Sequence, residues 1–290
     1  MAKATLRRLF LTSLFAAAAA TPALAQEKVV LGRISLSFYA VTGEVVQAVL
    51  ERLGHKVEVK EGTHDVIFPL LAKGEVDLLN AAWLPNAHRV YWERHQQDLA
   101  ELGTLYEGAQ LFWAVPAYVP PDAVRSAADL AKPEVSAKVD KTIRSIGAGA
   151  GITINSKKAV TEYGLDAAGY GVVAGTPKEW VDNFAAAHAA QRWLVMPLWR
   201  PQYLNKAYAL RMLADPKGAL GPADRAVLLG NKAARDRLPK RTLEVLARIR
   251  IPVDDVTAMD YVVNVEKKSP ADAAKAWMGA NAAMVDGWFR

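Results

Sequence analysis

Two Trp-x-Pro triplets punctuate this chain, Trp83-Leu84-Pro85 and Trp199-Arg200-Pro201. Each follows an apolar run, Val76 to Ala81 in the first case and Trp193 to Leu198 in the second. Such runs read as buried strands, and a proline turns the chain at their ends. Both tryptophans therefore fall at strand C-terminal edges, where open α/β sheets place their ligand crevices. Large aromatic surfaces there suit recognition through ring faces. A third feature, Gly147-Ala148-Gly149-Ala150-Gly151, follows a strand-like run and precedes a helix. Backbone N–H groups in that setting can hold an anion. The loop lacks the full Gly-x-Gly-x-x-Gly spacing, which argues against a nucleotide.

Residues that could do bond-breaking chemistry are not arranged for it. His88 and His95 stand seven apart on an expected helix. Two imidazoles without a third ligand make no zinc site, so both are expected at a solvated surface. His64-Asp65 could be half of a triad, but no serine stands in a nucleophile elbow, so a surface cap is expected there. The chain is expected to be no enzyme and to use no metal or cofactor. Trp92, Trp180, Trp277 and Trp288 read as core or structural residues.

The N-terminus reads as a secretory signal. Lys3, Arg7 and Arg8 precede an apolar core from Leu9 to Ala20, and Ala23-Leu24-Ala25 is a small-x-small cleavage site. Residues 1–25 are then a signal peptide and the mature chain starts at Gln26. Its removal takes away three basic residues and no acid, so the formal charge falls from +6 to +3. That charge is too weak for a nucleic-acid partner. The chain has no cysteine, which excludes a disulfide scaffold and a lipid-modified cysteine at the cleavage site. A soluble periplasmic protein is the expectation, and a monomer.

The elements that must carry these residues follow from periodicity. Val29 to Ile34 reads as a strand, Ser35 to Thr42 as a loop and Gly43 to Leu53 as a helix. Lys56 to Lys60 is a strand, Asp65 to Lys73 a helix and Val76 to Ala81 a third strand. This order predicts a parallel, doubly wound sheet. Asn86 to Leu99 reads as a helix, and Ala109 to Pro116 as the first crossing between lobes. Thr142 to Ile146 reads as a strand, with a helix starting near Asn155 or Ser156. Trp180 to Ala190 reads as another helix. Leu210 to Leu213 looks like the return crossing, and 222–250 and 269–289 like alanine-rich helices. Lobe I is then 26–113 plus 213–290, and lobe II is 114–212, a plan that suits a hinged binding protein.

Ordered along the chain, Gly74-Glu75-Val76-Asp77 through Trp83-Leu84-Pro85, Gly147 to Ile152, Tyr163-Gly164-Leu165, Trp199-Arg200-Pro201, Leu213 to Gly218 and Pro270 to Trp277 carry a resemblance. The chain resembles the periplasmic substrate-binding proteins of glycine betaine and proline betaine ABC importers. The resemblance implies an α/β, two-lobe periplasmic-binding-protein fold, type II-like, with a hinged ligand cleft. It implies capture of a quaternary amine and delivery to an ABC permease in the inner membrane. A quaternary ammonium has no N–H donors, so it is boxed by aromatic faces. Trp83, Tyr203 and Trp199 are the implied walls, with Phe38, Tyr39 or Trp113 available to complete them. The backbone at Ala150, Gly151 and Ile152 is the implied carboxylate clamp. Departures from the family pattern stand at Gln202, Tyr203 and Ile251, where His and large aromatics are usual. They leave room for choline, carnitine or another solute, and for a sensory protein that docks on a receptor.

Overall fold

The computed structural model describes residues 28–290. The expected signal segment and its cleavage point after Ala25 lie outside the described residues. The described residues open with β1 (Lys28–Ile34), α1 (Ser37–Arg52), β2 (Lys56–Gly62), α2 (His64–Ala72), β3 (Leu78–Leu84) and α3 (Arg89–His95). The long β4 (Leu99–Pro116) leads into α4 (Pro133–Ser136), β5 (Thr142–Ser145), α5 (Gly151–Glu162) and β6 (Gly171–Ala174). Then come α6 (Pro177–Ala189), β7 (Met196–Arg200), α7 (Leu204–Ala207) and β8 (Leu210–Met212). The chain closes with β9 (Asp224–Asn231), α8 (Lys232–Arg237), α9 (Lys240–Leu246), α10 (Val253–Asn264), α11 (Pro270–Ala280) and α12 (Ala282–Trp288).

The main sheet runs β2-β1-β3-β9-β4-β7, with β8 also on β4, and β5 pairs with β6 in a separate sheet. β1 lies parallel to β2 and β3, as the strand–helix alternation requires. The parallel order expected from the first three strands holds among them, and antiparallel pairing begins with β9. This strand inserts antiparallel between β3 and β4. It carries the chain back from the second lobe, so it enters the sheet from the opposite end. The expectation of helix over residues 224–231 fails here, since Ala, Val and Leu fill this segment without favouring either element. Burial of nearly every position fits a central strand, which shows no alternation to read.

β4 belongs to both lobes. Leu99 to Ala109 pair with β9, Gln110 to Ala114 with β7, and Ala114 to Pro116 with β8. Two hydrophobic clusters flank it. One holds α1, β1, β3, β9 and the C-terminal helices, including the stacked Trp277 and Trp288. The other gathers Trp113, Val115, Leu130, Ile143, Val160 and Leu165. Leu213, Ala219 and Leu220 pack in this second cluster, past the expected division at residue 212.

Several helix boundaries differ from expectation. α1 starts at Ser37, so Phe38 and Tyr39 stand on a helix rather than in a loop. Aromatic and β-branched residues are weak helix formers, and burial of Phe38, Tyr39, Val41 and Thr42 overrides that preference. α5 starts at Gly151, directly from the glycine loop, and Asn155 lies inside it. α3 is shorter than the expected helix over 86–99.

Candidate functional site

Trp83 is set by an irregularity in β3. The pairing of β3 with β9 shifts between Leu79 and Ala82, and Ala81 adopts φ +59. A bulge of this kind bends a strand and re-aims the side chains after it. The Trp83 indole N–H donates to the Tyr106 hydroxyl at 2.9 Å, and its backbone N–H to His88 Nδ1 at 2.9 Å. The peptide bonds before Pro85 and Pro201 are both cis. Beyond Pro85, the Asp224 carboxylate accepts from the N–H groups of Asn86 and Ala87 at 2.6 and 3.1 Å. Thus β9 fixes the loop that follows Trp83.

Phe38 stands between the two triplet tryptophans. Its ring centroid is 5.5 Å from Trp83 and 6.0 Å from Trp199. Tyr39 lies 4.1 Å from Phe38 and 6.2 Å from Trp83. Asn80 anchors this start of α1 on β3 by donating to the Tyr39 carbonyl and to Thr42 Oγ1, each at 2.9 Å. These rings surround a cavity of about 20 Å³, room for about one water. Ala150, Gly151 and Ile152 line the same cavity, as do Leu36, His64 and His88. No side chain caps the N-terminus of α5 at these residues.

Six of the expected site residues therefore meet around one space: Phe38, Trp83, Ala150, Gly151, Ile152 and Trp199. Tyr203 does not join them. It lines a neighbouring cavity of about 350 Å³ together with Phe38, Trp199 and Gln202. Trp113 lies in the second core, its N–H donating to Ser156 Oγ at 2.8 Å. Ile251 packs in the first core and donates its backbone N–H to the Leu105 carbonyl. Gln202 is buried, and its side-chain oxygen accepts from Leu204 N at 2.6 Å.

The histidines overturn their expected places. His64 and His88 are buried, not solvated, and their rings lie 5.1 Å apart. The true pair is thus His64 and His88, not His88 and His95. His88 accepts at Nδ1, which puts its proton on Nε2, facing the Tyr39 hydroxyl at 3.5 Å. Burial drives the pKa of His64 down to about 4. His88 falls well below its usual value, through burial and then the nearby His64. Burial likewise raises the Tyr39 and Tyr106 hydroxyls. The rings around the small cavity are therefore neutral near pH 7, and no carboxylate lines it. The sequence signal for His88 is its place five residues after Trp83, within reach of the same turn. Among the described residues no group of three His, Cys, Asp or Glu side chains is placed to hold a metal.

The glycine loop has a packing reason for its composition. A Cβ on Gly151 would sit 2.2 Å from the Ala87 carbonyl oxygen, and one on Gly149 2.5 Å from the Tyr91 hydroxyl. Tyr91 donates to the Gly149 carbonyl at 2.9 Å. The loop thus presses against the segment after Trp83. On the other side of the cleft, Arg200 meets Asp254 at 2.6 Å, and Tyr203 N–H donates to Asp260 at 2.7 Å. Asp260 also accepts from Asn264 at 2.9 Å, and burial raises its carboxyl to about 6. A raised folded pKa favours the folded state fully below the unfolded value near 4. That contribution fades as pH climbs through about 6. The stability of wild type relative to Asp260→Asn should therefore rise as pH falls from about 7 to about 4, by roughly 2–3 kcal/mol. Urea unfolding at both pH values measures it. A pH-independent difference would contradict the assignment.

The profile of the OpuAC family, described as the substrate binding domain of ABC-type glycine betaine transport system, matches residues 27–280. A glycine betaine/carnitine transport binding protein of Listeria monocytogenes, GbuC, is 26% identical over 158 residues. That match covers 54% of this chain and 52% of GbuC, so it spans about half the length of the relative. Lactococcal OpuAC, solved closed in complex with glycine betaine, superposes with a TM-score of 0.83 at 26% identity, covering 91% of this chain and all (100%) of that one. The glycine betaine, L-proline-binding protein ProX of Borrelia burgdorferi superposes with a TM-score of 0.82 at 23% identity, covering 90% of this chain and 96% of that one. At that lower identity the likeness speaks for the two-lobe fold alone. The chain belongs to the family of substrate-binding domains of ABC-type glycine betaine transport systems.

Proposed function

We propose that this chain captures glycine betaine or a related quaternary amine between its lobes and delivers it to an ABC permease in the inner membrane. The observation that carries the reading is the neutral ring cluster of Phe38, Tyr39, Trp83 and Trp199 beside the uncapped start of α5. A permanent cation is attracted to ring faces and needs no hydrogen bond to its head. The carboxylate sits on the backbone N–H groups of Gly151 and Ile152, where the helix dipole favours a negative charge. In the structure Phe38 fills the gap between the tryptophans, so the rings must part to admit the head. Tyr203 then contacts the ligand only through the adjoining cavity. The protein acts as a monomer in the periplasm, after removal of residues 1–25. No helix among the described residues is long and apolar enough to cross a membrane. It carries its solute unchanged and is no enzyme.

Thermal denaturation of the mature chain with glycine betaine, choline or carnitine tests the reading. Ligand at about 100 times its Kd stabilises by about 2.7 kcal/mol, enough to raise Tm by several degrees. Absence of any shift at millimolar concentrations of all three would sink it.

A further inference from the structure

A third cavity, of about 390 Å³, adjoins the ring cavity and shares Leu36, His64, Ile146 and Ala150 with it. Thr63, Asp65, Ala148, Thr176 and Pro177 are exposed along its rim, so it opens to solvent. Gly151 and Ile152 line the ring cavity and not this one. Glycine betaine carries its carboxylate one methylene from the nitrogen. With its head among the rings, it ends at Gly151 and Ile152 and leaves the third cavity empty.

The walls of this cavity are the approaches to four helices. Ser35 and Leu36 lead into α1, Thr63 into α2, Gly147 to Ala150 into α5, and Gly175 and Thr176 into α6. The positive ends of four helix dipoles thus converge on one space. α6 closes its own end with a capping box between Thr176 and Glu179. α1, α2 and α5 have no side-chain cap. The N–H groups of Gly147, Ala148 and Gly149 make no hydrogen bond within the protein.

His64 adds a side chain to this field. It is only 7% exposed and lines both cavities. Neither ring nitrogen has a hydrogen-bond partner, yet unlike the indole nitrogens of Trp180 and Trp199 they are not sealed in by protein atoms. A buried polar group left unpaired is costly, and a ligand that pairs it removes the cost. Among the described residues lining the cavity there is no lysine or arginine, and Asp65 is the one charged side chain. The Thr63 hydroxyl, and then the N–H of Asp65 itself, engage that carboxylate and hold its pKa below the usual value. The remaining donors are an imidazole and three consecutive backbone N–H groups. That set suits the three terminal oxygens of a phosphate ester better than the two of a carboxylate.

We infer that this cavity receives a phosphoryl group carried by the ligand whose quaternary head lies among the rings. The ligand class is a phosphate monoester of a quaternary amino alcohol. This rests on the function proposed above. Titration calorimetry of the mature chain can compare phosphocholine, acetylcholine and glycine betaine. Acetylcholine is an ester of the same alcohol with no charge at that end. Phosphocholine should bind about tenfold more tightly than either of the others, the scale of one hydrogen bond to a charged group.

His64→Phe keeps a ring and removes both nitrogens. It should lower the phosphocholine-to-glycine-betaine affinity ratio about tenfold, and His64→Gln, which retains a donor, should restore part of it. Asp65→Asn removes an exposed competing charge and should raise the same ratio about threefold. A general loss of packing at either position would weaken both ligands alike and leave the ratio unmoved. Acetylcholine or glycine betaine binding wild type as tightly as phosphocholine, or a ratio unchanged by His64→Phe and Asp65→Asn, would overturn the inference and leave the proposed function standing. Failure of all three to bind would overturn both.

Discussion

An alanine at position 151 should leave a folded protein that no longer holds its solute. The added methyl would stand 2.2 Å from the Ala87 carbonyl oxygen and 2.8 Å from its carbon. Backbone is met there, so no side chain can swing aside. Gly151 opens α5 and Ala87 follows Trp83, so only separation of the lobes relieves the clash. The open protein loses the tryptophan–clamp pairing across the cleft, and affinity should fall at least about 100-fold, or about 2.7 kcal/mol. Ala87, Ala150 and Ile152 belong to the first core, so urea unfolding of the unliganded variant checks that the fold survives the opening. Gly147→Ala is the control, since nothing lies within 4 Å of a Cβ at that position. Calorimetry and small-angle scattering would report lost binding and an expanded radius for Gly151→Ala, and wild-type behaviour for Gly147→Ala. Wild-type affinity in Gly151→Ala would mean that the ligand is held without this closure.

The second large effect concerns Trp83, which serves the core and the proposed site together. Trp83→Ala empties a position only 2% exposed and leaves the Tyr106 hydroxyl without its donor. Loss of a buried tryptophan costs about 3–5 kcal/mol of stability. Ligand binding should be lost as well, so that variant alone cannot separate the two roles. Trp83→Leu keeps bulk and removes the π face. Wild type should prefer the trimethylammonium ligand over its neutral tert-butyl isostere, since each ring contact with a cation contributes about 0.5–2 kcal/mol. The preference should shrink in Trp83→Leu. Equal binding of cation and isostere by wild type would show that the site reads shape rather than charge.

The ring site is partly legible in the chain because its tryptophans sit beside prolines at strand ends, a local signal. Trp83, Trp199 and the glycine loop announce themselves in that way, and the structure gathers them around one cavity. Tyr203 carries a similar signal but faces the next cavity, because Asp260 holds its backbone toward α10. The pairing of His64 with His88 is hidden, because spacing along one helix says nothing of two elements folding together. β9 passes for helix because a strand buried on both faces shows no alternation. The early start of α1 is masked by residues whose intrinsic preference opposes the helix they join. What local pattern leaves out is, in each case, supplied by contacts between distant segments.

β4 gives its first stretch to the sheet shared with β9 and its last to β7 and β8. Neither half of the molecule owns a complete set of strands. Dividing the gene between the lobes would orphan an edge on one side and leave the other with an unpaired ribbon. Swapping one lobe with a relative would require both parents to agree on the pitch and register of this single strand.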